Sequence, residues 1–265
     1  MSKSYSPAWR LFTVILFRPV LHVLVKNKWA GQENIPKTGP VIIAPNHMSY
    51  LDWGTDALYF EASGRYPTFL IKASAFKVPF IGKMLYGCGQ IPVNRGGADA
   101  AKALKQAEEA LKEGAAVIIY PEGTATRDPD LWPMVAKTGV ARLALTSGAP
   151  VIPVARWGTQ VALPYGSKKL KLWPRQTVRT VAGKPVDLSE WAGKTTSARA
   201  LRAATDAIMA EVTALVASLR DEAPPAIPFD MSKPSREQPG LAEKPDQDQK
   251  PDQDESSSRT DSASS

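Results

Sequence analysis

Cysteine and histidine are scarce in this sequence: its 265 residues contain one cysteine, Cys88, and two histidines, His22 and His47. A single cysteine excludes an intramolecular disulfide and fits a reducing compartment. So few sulfur and imidazole ligands also argue against a zinc site built from them. Cys88 itself, in the segment Gly87-Cys88-Gly89, is read either as a packed thiol or as a nucleophile.

The sequence also lacks an uninterrupted apolar run long enough to span a bilayer. Its N terminus has two hydrophobic runs, residues 11–17 and 20–25, which Arg18 and Pro19 separate. A spanning helix needs about 20 predominantly apolar residues, and the runs do not lead into the small residues of a signal-peptide cleavage site. Because tryptophans and cations flank the segment, we expect a helix in one leaflet and a peripheral or monotopic protein on the cytoplasmic face of the cell membrane. The alternative is an ordinary core helix.

Acidic residues are few in the body of the chain. Residues 221–265 hold 5 Lys and Arg against 11 Asp and Glu, which leaves 28 against 15 in residues 1–220 and a net charge of +13 there. A body this basic favours polyanionic partners such as a membrane phospholipid surface. Residues 221–265 are rich in Pro, Asp, Gln and Ser and nearly free of aromatics, so they are predicted to be disordered.

Strand and helix patterns alternate after the N-terminal segment. Short β-branched apolar runs predict buried strands, and apolar residues at helical spacing predict helices. This alternation predicts an α/β fold, a single domain with a mainly parallel or mixed sheet flanked by helices. The predicted strands are 41–44, 68–71, 90–93, 116–119, 151–155 and 177–182, and the predicted helices are 50–60, 80–86, 98–113, 139–146 and 197–219.

The same patterns divide the chain into three parts. Residues 1–30 are predicted to be a membrane-associating helical segment, residues 31–220 the α/β domain, and residues 221–265 a disordered tail. Within the domain, polar motifs follow the strands at 41–44 and 116–119. Because loops at the carboxyl ends of parallel strands converge on one crevice, we expect these motifs to form a single site.

The first motif is Asn46-His47-Met48-Ser49-Tyr50-Leu51-Asp52. Ser49 and Asp52 have the spacing of a helix capping box, which gives Asp52 a purely structural reading. The same geometry lets His47, in the preceding loop, fold back onto Asp52, which would orient the imidazole as a general base. No Gly-x-Ser-x-Gly motif supplies a serine, so the nucleophile is expected to come from the substrate. The alternative is a structural histidine.

Four motifs, in order, resemble those of the glycerolipid acyltransferases. Asn46-His47 with Asp52 has the family's His-x4-Asp spacing, and Pro121-Glu122-Gly123-Thr124 matches its Pro-Glu-Gly-Thr block. Weaker matches are residues 89–95, which end in Arg95, and residues 151–155. The chain is most similar to 1-acylglycerol-3-phosphate acyltransferases, over about residues 41–156.

The resemblance implies transfer of an acyl group from acyl-CoA or acyl-carrier protein to the free hydroxyl of a lysophospholipid, first of all 1-acylglycerol-3-phosphate, giving phosphatidate. His47 would deprotonate that hydroxyl, Asp52 would orient His47, and Arg95 would bind the acceptor phosphate. The Glu122-Gly123-Thr124 segment would shape the acceptor site. No bound cofactor and no metal is implied, because the acyl donor is a co-substrate.

The chain departs from the family directly after Thr124. Members often have an arginine at the next position, whereas two residues intervene before Arg127 here. Either Arg127 reaches the phosphate from a longer loop, or Lys72 or Lys137 takes over its task. Another lysophospholipid or a glycolipid therefore stays open as the acceptor.

Other interpretations of these residues also stay open. Arg95 and Arg127 can be solvated surface charges. The basic and apolar stretch 168–175 fits either lipid headgroups or an edge strand protected by lysines. The His47 and Asp52 pair would also suit a thioesterase-like hydrolase, and the basic body would suit a non-catalytic protein that binds membrane or nucleic acid. No nucleic-acid-binding motif is present, so no nucleic-acid partner is expected.

Overall fold

Strands and helices alternate along the chain. The computed structural model describes residues 6–94, 97–167, 169–171 and 173–233. Short 3-10 helices lie at Gln32–Asn34, Ala73–Lys77 and Ser189–Trp191. The other elements are α1 (Pro7–Leu24), β1 (Val25–Ala30), β2 (Val41–Pro45), α2 (Asp52–Ala62), β3 (Pro67–Lys72), α3 (Ile81–Gly87), β4 (Ile91–Val93), α4 (Gly97–Lys112), β5 (Ala116–Ile118), α5 (Gly139–Ser147), β6 (Val151–Trp157), α6 (Thr159–Ala162), β7 (Gln176–Ala182) and α7 (Ala198–Arg220).

The seven strands form one mixed sheet in the order β1-β7-β6-β2-β5-β3-β4. All neighbouring pairs run parallel except β6 and β7. β2 lies between β6 and β5, and all five of its residues are buried. Its Val41-Ile42-Ile43 run suits this place, because β-branched apolar side chains pack well in a strand covered on both faces. The loops after β2 and β5 therefore leave the sheet at the same edge.

Helices cover both faces of the sheet. Ile42 of β2 belongs to a buried cluster with Leu111 of α4 and Ile208 of α7. Its neighbour Ile43 belongs to the opposite cluster, with Tyr59 of α2. Successive strand residues point to opposite faces, so one short strand supplies both cores. This layered arrangement confirms the predicted α/β fold.

The predicted boundary at residue 30 is wrong. α1 ends at Leu24, and Val25–Ala30 forms the edge strand β1, which pairs with β7. The α/β unit therefore begins at residue 25 and not at residue 31. Lys26 and Lys28 are exposed on β1, as charged side chains on an edge strand commonly are. The predicted strands and helices are present with ends shifted by at most two residues, whereas β1 and the short α6 have no predicted counterpart.

The segment after α7 contacts the body of the protein. Phe229 is buried, and its carbonyl oxygen accepts a hydrogen bond from the Val135 N–H at 2.9 Å. The prediction of disorder from residue 221 is therefore wrong for residues 221–233. The rest of the predicted tail, residues 234–265, lies outside the described residues.

Helix α1 presents an apolar surface to the outside. Leu21 is the one residue of this helix that is buried, whereas Leu11, Ile15 and Val23 are 61%, 65% and 69% exposed. These exposures exclude the alternative of an ordinary core helix. Pro19 lies inside the helix and does not end it. Among the described residues, α1 alone is long and apolar enough to cross a membrane, judged by length and composition only.

The described residues of the basic stretch 168–175 do not form an edge strand. These residues, 169–171 and 173–175, precede β7 and belong to no strand. Trp173 is 82% exposed. Arg175 Nη2 donates to the carbonyl oxygens of His22 and Val25, the latter at 2.9 Å. A cation at these carbonyl groups stabilises the end of α1, where the chain turns into β1.

Candidate active site

His47 lies in the loop between β2 and α2, and its ring contacts Asp52, the first residue of α2. The distance from His47 Nδ1 to Asp52 Oδ2 is 2.8 Å. The Asp52 side chain is fully buried, whereas the His47 side chain is 19% exposed. The pair therefore has one end fixed inside the protein and one end open to a bound molecule, as a general base requires.

Asp52 is held by hydrogen bonds on both carboxylate oxygens. The N–H groups of Met48 and Ser49 donate to Oδ2 at 2.7 and 3.0 Å, and Thr159 Oγ1 donates to Oδ1 at 2.6 Å. Of the two hydrogen bonds of the predicted capping box, only the one from the Ser49 N–H to the Asp52 carboxylate is present. The residue before α2 is Leu51 and not Ser49, and Ser49 Oγ accepts a hydrogen bond from Leu51 N–H instead.

Arg156, near the end of β6, lies between two aspartates of α2. Its Nη1 is 3.2 Å from Asp52 Oδ1, and its Nη2 forms a short ion pair with Asp56 Oδ1. All three side chains are fully buried. Asp52 and Asp56 are four residues apart on one helix, so they lie on the same face and share this cation.

The buried charges fix the protonation of Asp52. Burial acts to raise the pKa of Asp52, but the charge of Arg156 and the hydrogen bond from His47 outweigh it and lower the pKa to about 2. Burial raises the pKa of Asp56 to about 6, although Arg156 opposes this. Asp52 is therefore an anion at neutral pH and can only accept from His47 Nδ1. Nδ1 carries the proton of that hydrogen bond, which leaves Nε2 to accept another.

Tyr120, two residues after β5, covers one face of the imidazole. The centroids of the Tyr120 and His47 rings are 4.4 Å apart, and the ring planes differ by 24°. The Tyr120 hydroxyl donates to Asp56 Oδ2 at 2.7 Å. Burial, together with the charge of Asp56, raises the pKa of Tyr120, so the hydroxyl stays protonated and keeps donating.

Glu122 joins the two motif-bearing loops. Its Oε1 accepts from the His47 N–H and its Oε2 from the Met134 N–H, each at 3.0 Å. The Thr126 N–H donates to the His47 carbonyl oxygen at 2.7 Å. Burial raises the pKa of Glu122 to about 8, against these two backbone hydrogen bonds. The Glu122 side chain thus holds the backbone on both sides of the site.

The Gly123 backbone brings Lys137 to the same loop. Gly123 has φ +73°, and a Cβ on it would lie 3.5 Å from Lys137 Nζ. The Lys137 N–H donates to the Pro121 carbonyl oxygen at 3.0 Å. Thr124, the next motif residue, is buried. Lys137 is exposed, so its ammonium group lies beside the motif and can reach an anion there.

The remaining cations predicted for the site have different positions. Arg127 is stacked on the Tyr165 ring at 4.2 Å and donates from Nη2 to the Tyr165 hydroxyl at 2.9 Å. The Tyr165 ring in turn lies 4.9 Å from that of Tyr50, three residues after His47. Lys72 is exposed at the end of β3. Arg95 lies outside the described residues.

Sequence reasoning missed Arg156, Asp56, Tyr120 and Thr159. The position of Asp56, four residues after Asp52 on a predicted helix, indicates that both carboxylates lie on the same helix face. The position of Arg156 directly after a predicted buried apolar strand indicates that this cation needs a buried partner. Nothing in the sequence pairs the two, since strand β6 and helix α2 are far apart in the chain.

An apolar cavity lies apart from these polar groups, under α1. Its volume is about 110 Å³, and α1, α2, β3 and α3 line it with residues that include Phe17, Trp53, Phe69 and Met84. Cys88 is buried in its wall, with Sγ 3.9 Å from Thr13 Oγ1. This packing favours the interpretation of Cys88 as a packed thiol. Within the described ranges, no group of three or more His, Cys, Asp and Glu side chains is arranged to hold a metal ion.

A family model described as Acyltransferase matches residues 26–157. The chain belongs to the acyltransferase family. The matched range contains His47 with Asp52, the Glu122 loop and Arg156, so every contact around the imidazole described above lies within the family domain apart from the hydrogen bond from Thr159.

The relatives that carry names are consistent with this assignment. A chloroplastic 1-acyl-sn-glycerol-3-phosphate acyltransferase of Brassica napus is 31% identical over 63% of this chain and 46% of its own length. The 1-acyl-sn-glycerol-3-phosphate acyltransferase of Borreliella burgdorferi is 36% identical over 49% of this chain and 50% of its own length. The chain spans about half the length of curated relatives that it matches.

A solved structure has the same fold. The 1-acyl-sn-glycerophosphate acyltransferase PlsC of Thermotoga maritima superposes with a TM-score of 0.62, with 24% sequence identity and 81% of each chain covered. The acyltransferase fold therefore extends beyond residues 26–157 to most of this chain.

Proposed function

We propose that this acyltransferase moves a fatty acyl group from acyl-CoA or acyl-carrier protein to the free hydroxyl of 1-acylglycerol-3-phosphate, giving phosphatidate. The single observation that carries the proposal is the 2.8 Å contact between His47 Nδ1 and the buried Asp52 carboxylate. The names of the relatives support the choice of lysophosphatidate as acceptor.

The chemistry needs one base and no acyl-enzyme. The proton of the acceptor hydroxyl moves to His47 Nε2 while the hydroxyl oxygen attacks the thioester carbonyl carbon. The carbon–sulfur bond then breaks, and the leaving thiolate takes the proton back from the imidazolium. Asp52 remains ionised throughout because of its pKa of about 2, and its charge stabilises the imidazolium that forms between the two steps.

The cations around the motif loops are assigned to the acceptor phosphate. Lys137 lies beside Gly123 and is our first choice for this contact. Arg127 would join it by leaving the Tyr165 ring or by binding from there. Arg95 and Lys72 keep the phosphate-binding role only as predictions. Glu122, Gly123 and Thr124 are proposed to shape the acceptor site through the loop backbone.

The exposed apolar face of α1 supports a membrane-associated enzyme. Leu11, Ile15 and Val23 would enter the lipid, while the exposed Lys26 and Lys28, just after the helix, supply positive charge. This arrangement suits a monotopic helix, with the site on the cytoplasmic side of the cell membrane. Residues 1–24 are then the membrane segment and residues 25–220 the catalytic domain.

An acceptor panel with a labelled acyl donor tests the proposal. Purified full-length protein in detergent would be given labelled acyl-CoA, or labelled acyl-carrier protein, with 1-acylglycerol-3-phosphate, other lysophospholipids or a glycolipid. We expect labelled phosphatidate and little thiol release without an acceptor. Equal thiol release with and without acceptor would instead indicate a hydrolase, and preference for another lipid would overturn the choice of lysophosphatidate.

A different lysophospholipid acceptor is the second candidate. The displaced arginine after Thr124 favours it, since Arg127 is held on Tyr165 and the phosphate contact need not be that of the relatives. One relative, the lysophospholipid acyltransferase LPEAT1 of Arabidopsis thaliana, is 29% identical over 43% of this chain. The same acceptor panel distinguishes the two candidates.

A further inference from the structure

Contacts link five side chains into a closed ring, and the imidazole of His47 is one of the five. Asp52 Oδ2 contacts His47 Nδ1, and Asp52 Oδ1 lies 3.2 Å from Arg156 Nη1. Arg156 pairs with Asp56, Asp56 accepts from the Tyr120 hydroxyl, and the Tyr120 ring stacks on His47. We call this ring of contacts the histidine circuit. It restrains the imidazole both at Nδ1 and across one face.

The hydrogen bond to Asp52 and the stacked Tyr120 ring together fix the orientation of the imidazole, which the hydrogen bond alone does not. A single hydrogen bond at Nδ1 lets the imidazole tilt about the line to Asp52 and move Nε2 away from a bound hydroxyl. A ring stacked at 4.4 Å on one face opposes that tilt. Reacting groups must be held within about 3–3.5 Å, and a misplacement of about 1 Å costs roughly a hundredfold in rate. The Tyr120 ring is therefore placed where orientation matters most.

Tyr120 is itself fixed by buried charges. Its hydroxyl donates to Asp56 Oδ2 at 2.7 Å, and Asp56 is held by Arg156, which is 0% exposed. Buried ion pairs of this kind are often replaceable by apolar groups without loss of stability. Arg156 Nε, moreover, has no hydrogen-bond partner within the part of the chain that the structure describes. Stability alone therefore does not account for this arrangement.

We propose that Tyr120, Asp56 and Arg156 are positioning residues for the acyl transfer reaction, with Tyr120 clamping the plane of the His47 imidazole and the Asp56–Arg156 pair holding Tyr120 in place. The inference rests on the proposed function, because it assumes that His47 is the base. It adds that the orientation of the base depends on residues that do not touch the substrate.

Substitutions along the circuit test this inference in the full-length protein. Tyr120→Phe keeps the ring and removes the hydrogen bond to Asp56, so kcat should fall about tenfold with KM unchanged. Tyr120→Leu also removes the stacked ring, and kcat should fall about a hundredfold. Asp56→Asn should resemble Tyr120→Phe, and the double variant should be no worse than either single variant because both remove the same link.

Tyr59→Phe is the matched control. Tyr59 is also a buried tyrosine, and its hydroxyl donates to a carbonyl oxygen, that of Ala30, at 2.6 Å. It lies on α2 with Asp52 and Asp56 but is outside the circuit. Loss of the Tyr59 hydroxyl should lower the stability of the protein and leave kcat unchanged. If Asp56→Asn does not fold, Tyr120→Phe still carries the test, because it removes one hydroxyl only.

A spectroscopic readout separates positioning from simple support of the fold. The chain has two histidines, so the His47 ring signals of histidine-labelled protein can be assigned with His47→Ala. Ring-current shifts from Tyr120 should disappear in Tyr120→Leu and change in Asp56→Asn, although Asp56 does not touch the imidazole. They should stay unchanged in Tyr59→Phe.

The outcomes distinguish failure of the positioning inference from failure of the proposed function. An inactive His47→Ala together with wild-type kcat and unshifted His47 signals in Tyr120→Leu and Asp56→Asn would overturn the positioning inference alone. An active His47→Ala would overturn the proposed function. The ring signals would still report whether the circuit holds the imidazole.

Discussion

The guanidinium of Arg220, the last residue of α7, lies 4.0 Å from the centroid of the Trp132 ring and 4.5 Å from that of Trp157. Arg220 Nη1 also donates to the Asp130 carbonyl oxygen at 2.6 Å. Trp132 belongs to the loop that follows the Glu122 motif and leads to Met134. The end of α7 therefore holds this loop against β6.

Removing the Arg220 side chain should loosen that loop. Arg220→Ala loses two cation–π contacts at a largely buried site, and the free energy of unfolding should fall by about 1–2 kcal/mol. Urea denaturation followed by circular dichroism measures this. Arg199→Ala, at an exposed position in the first turn of α7, is the control and should change little. Equal stability of the two variants would mean that the stacking contributes nothing.

The fold could be predicted largely because its strands are short β-branched runs. Ile42 and Ile43, for example, lie in a run that has no place except a strand covered on both faces. β1 could not be predicted in the same way. It follows the apolar helix α1 directly and has three consecutive polar residues, Lys26, Asn27 and Lys28, in place of an apolar run. Its strand conformation depends on pairing with β7, about 150 residues later.

The sequence motifs predicted the contact between His47 and Asp52, but not the buried contacts that surround it. The spacing of His47 and Asp52 predicted the contact between them, because a five-residue separation closes only when the histidine lies in the loop before the helix. The Asp56–Arg156 pair joins α2 to β6 through tertiary packing, which no local pattern reports. Phe229 shows the same limit, since a lone aromatic in a polar segment gives no periodic signal yet is buried here.

Gly123 should be sensitive to substitution for a reason specific to the site. Gly123→Ala places a Cβ at φ +73°, a strained backbone conformation for alanine, in van der Waals contact with the Lys137 side chain, so relaxation of the loop should change the position of the lysine. We expect a stability loss of about 1–2 kcal/mol and a severalfold higher KM for the lysophospholipid. Gly39→Ala is the control, because Gly39 has φ +78° but no atom within 4 Å of its added Cβ. A rise in KM in both variants would contradict the assignment of Lys137.

Glu122 should make stability depend on pH. Burial raises its pKa from 4.5 in the unfolded chain to about 8. A raised pKa means that Glu122 stabilises the fold fully below its unfolded pKa and loses this contribution as pH rises through about 8. One proton corresponds to a slope of at most about 1.4 kcal/mol per pH unit in that window.

Glu122→Gln tests this slope. The amide cannot titrate, and its NH₂ group faces one backbone N–H, so the variant should be less stable than wild type at low pH. The difference should shrink between about pH 5 and pH 8.5. Urea denaturation across this range measures it, with the exposed Glu113→Gln as control. A constant difference between variant and wild type would show that Glu122 does not titrate there.

The exposed face of α1 should bind lipid. Ile15→Asp removes an apolar side chain that is 65% exposed and should weaken binding to anionic phospholipid vesicles about tenfold or more. Ile227→Asp is the matched control, since Ile227 is 62% exposed but lies after α7. Vesicle sedimentation compares the two variants. Equal binding by both would place the membrane contact elsewhere.

The rate of acyl transfer by His47→Ala tests the central claim most directly. Labelled acyl-CoA and 1-acylglycerol-3-phosphate would be supplied to variant and wild type, after circular dichroism and vesicle binding show that both are folded and bind membrane equally. If His47 is the base, kcat should fall by about 10²–10⁴. A turnover close to that of the wild type would contradict the assignment and with it the proposed reaction.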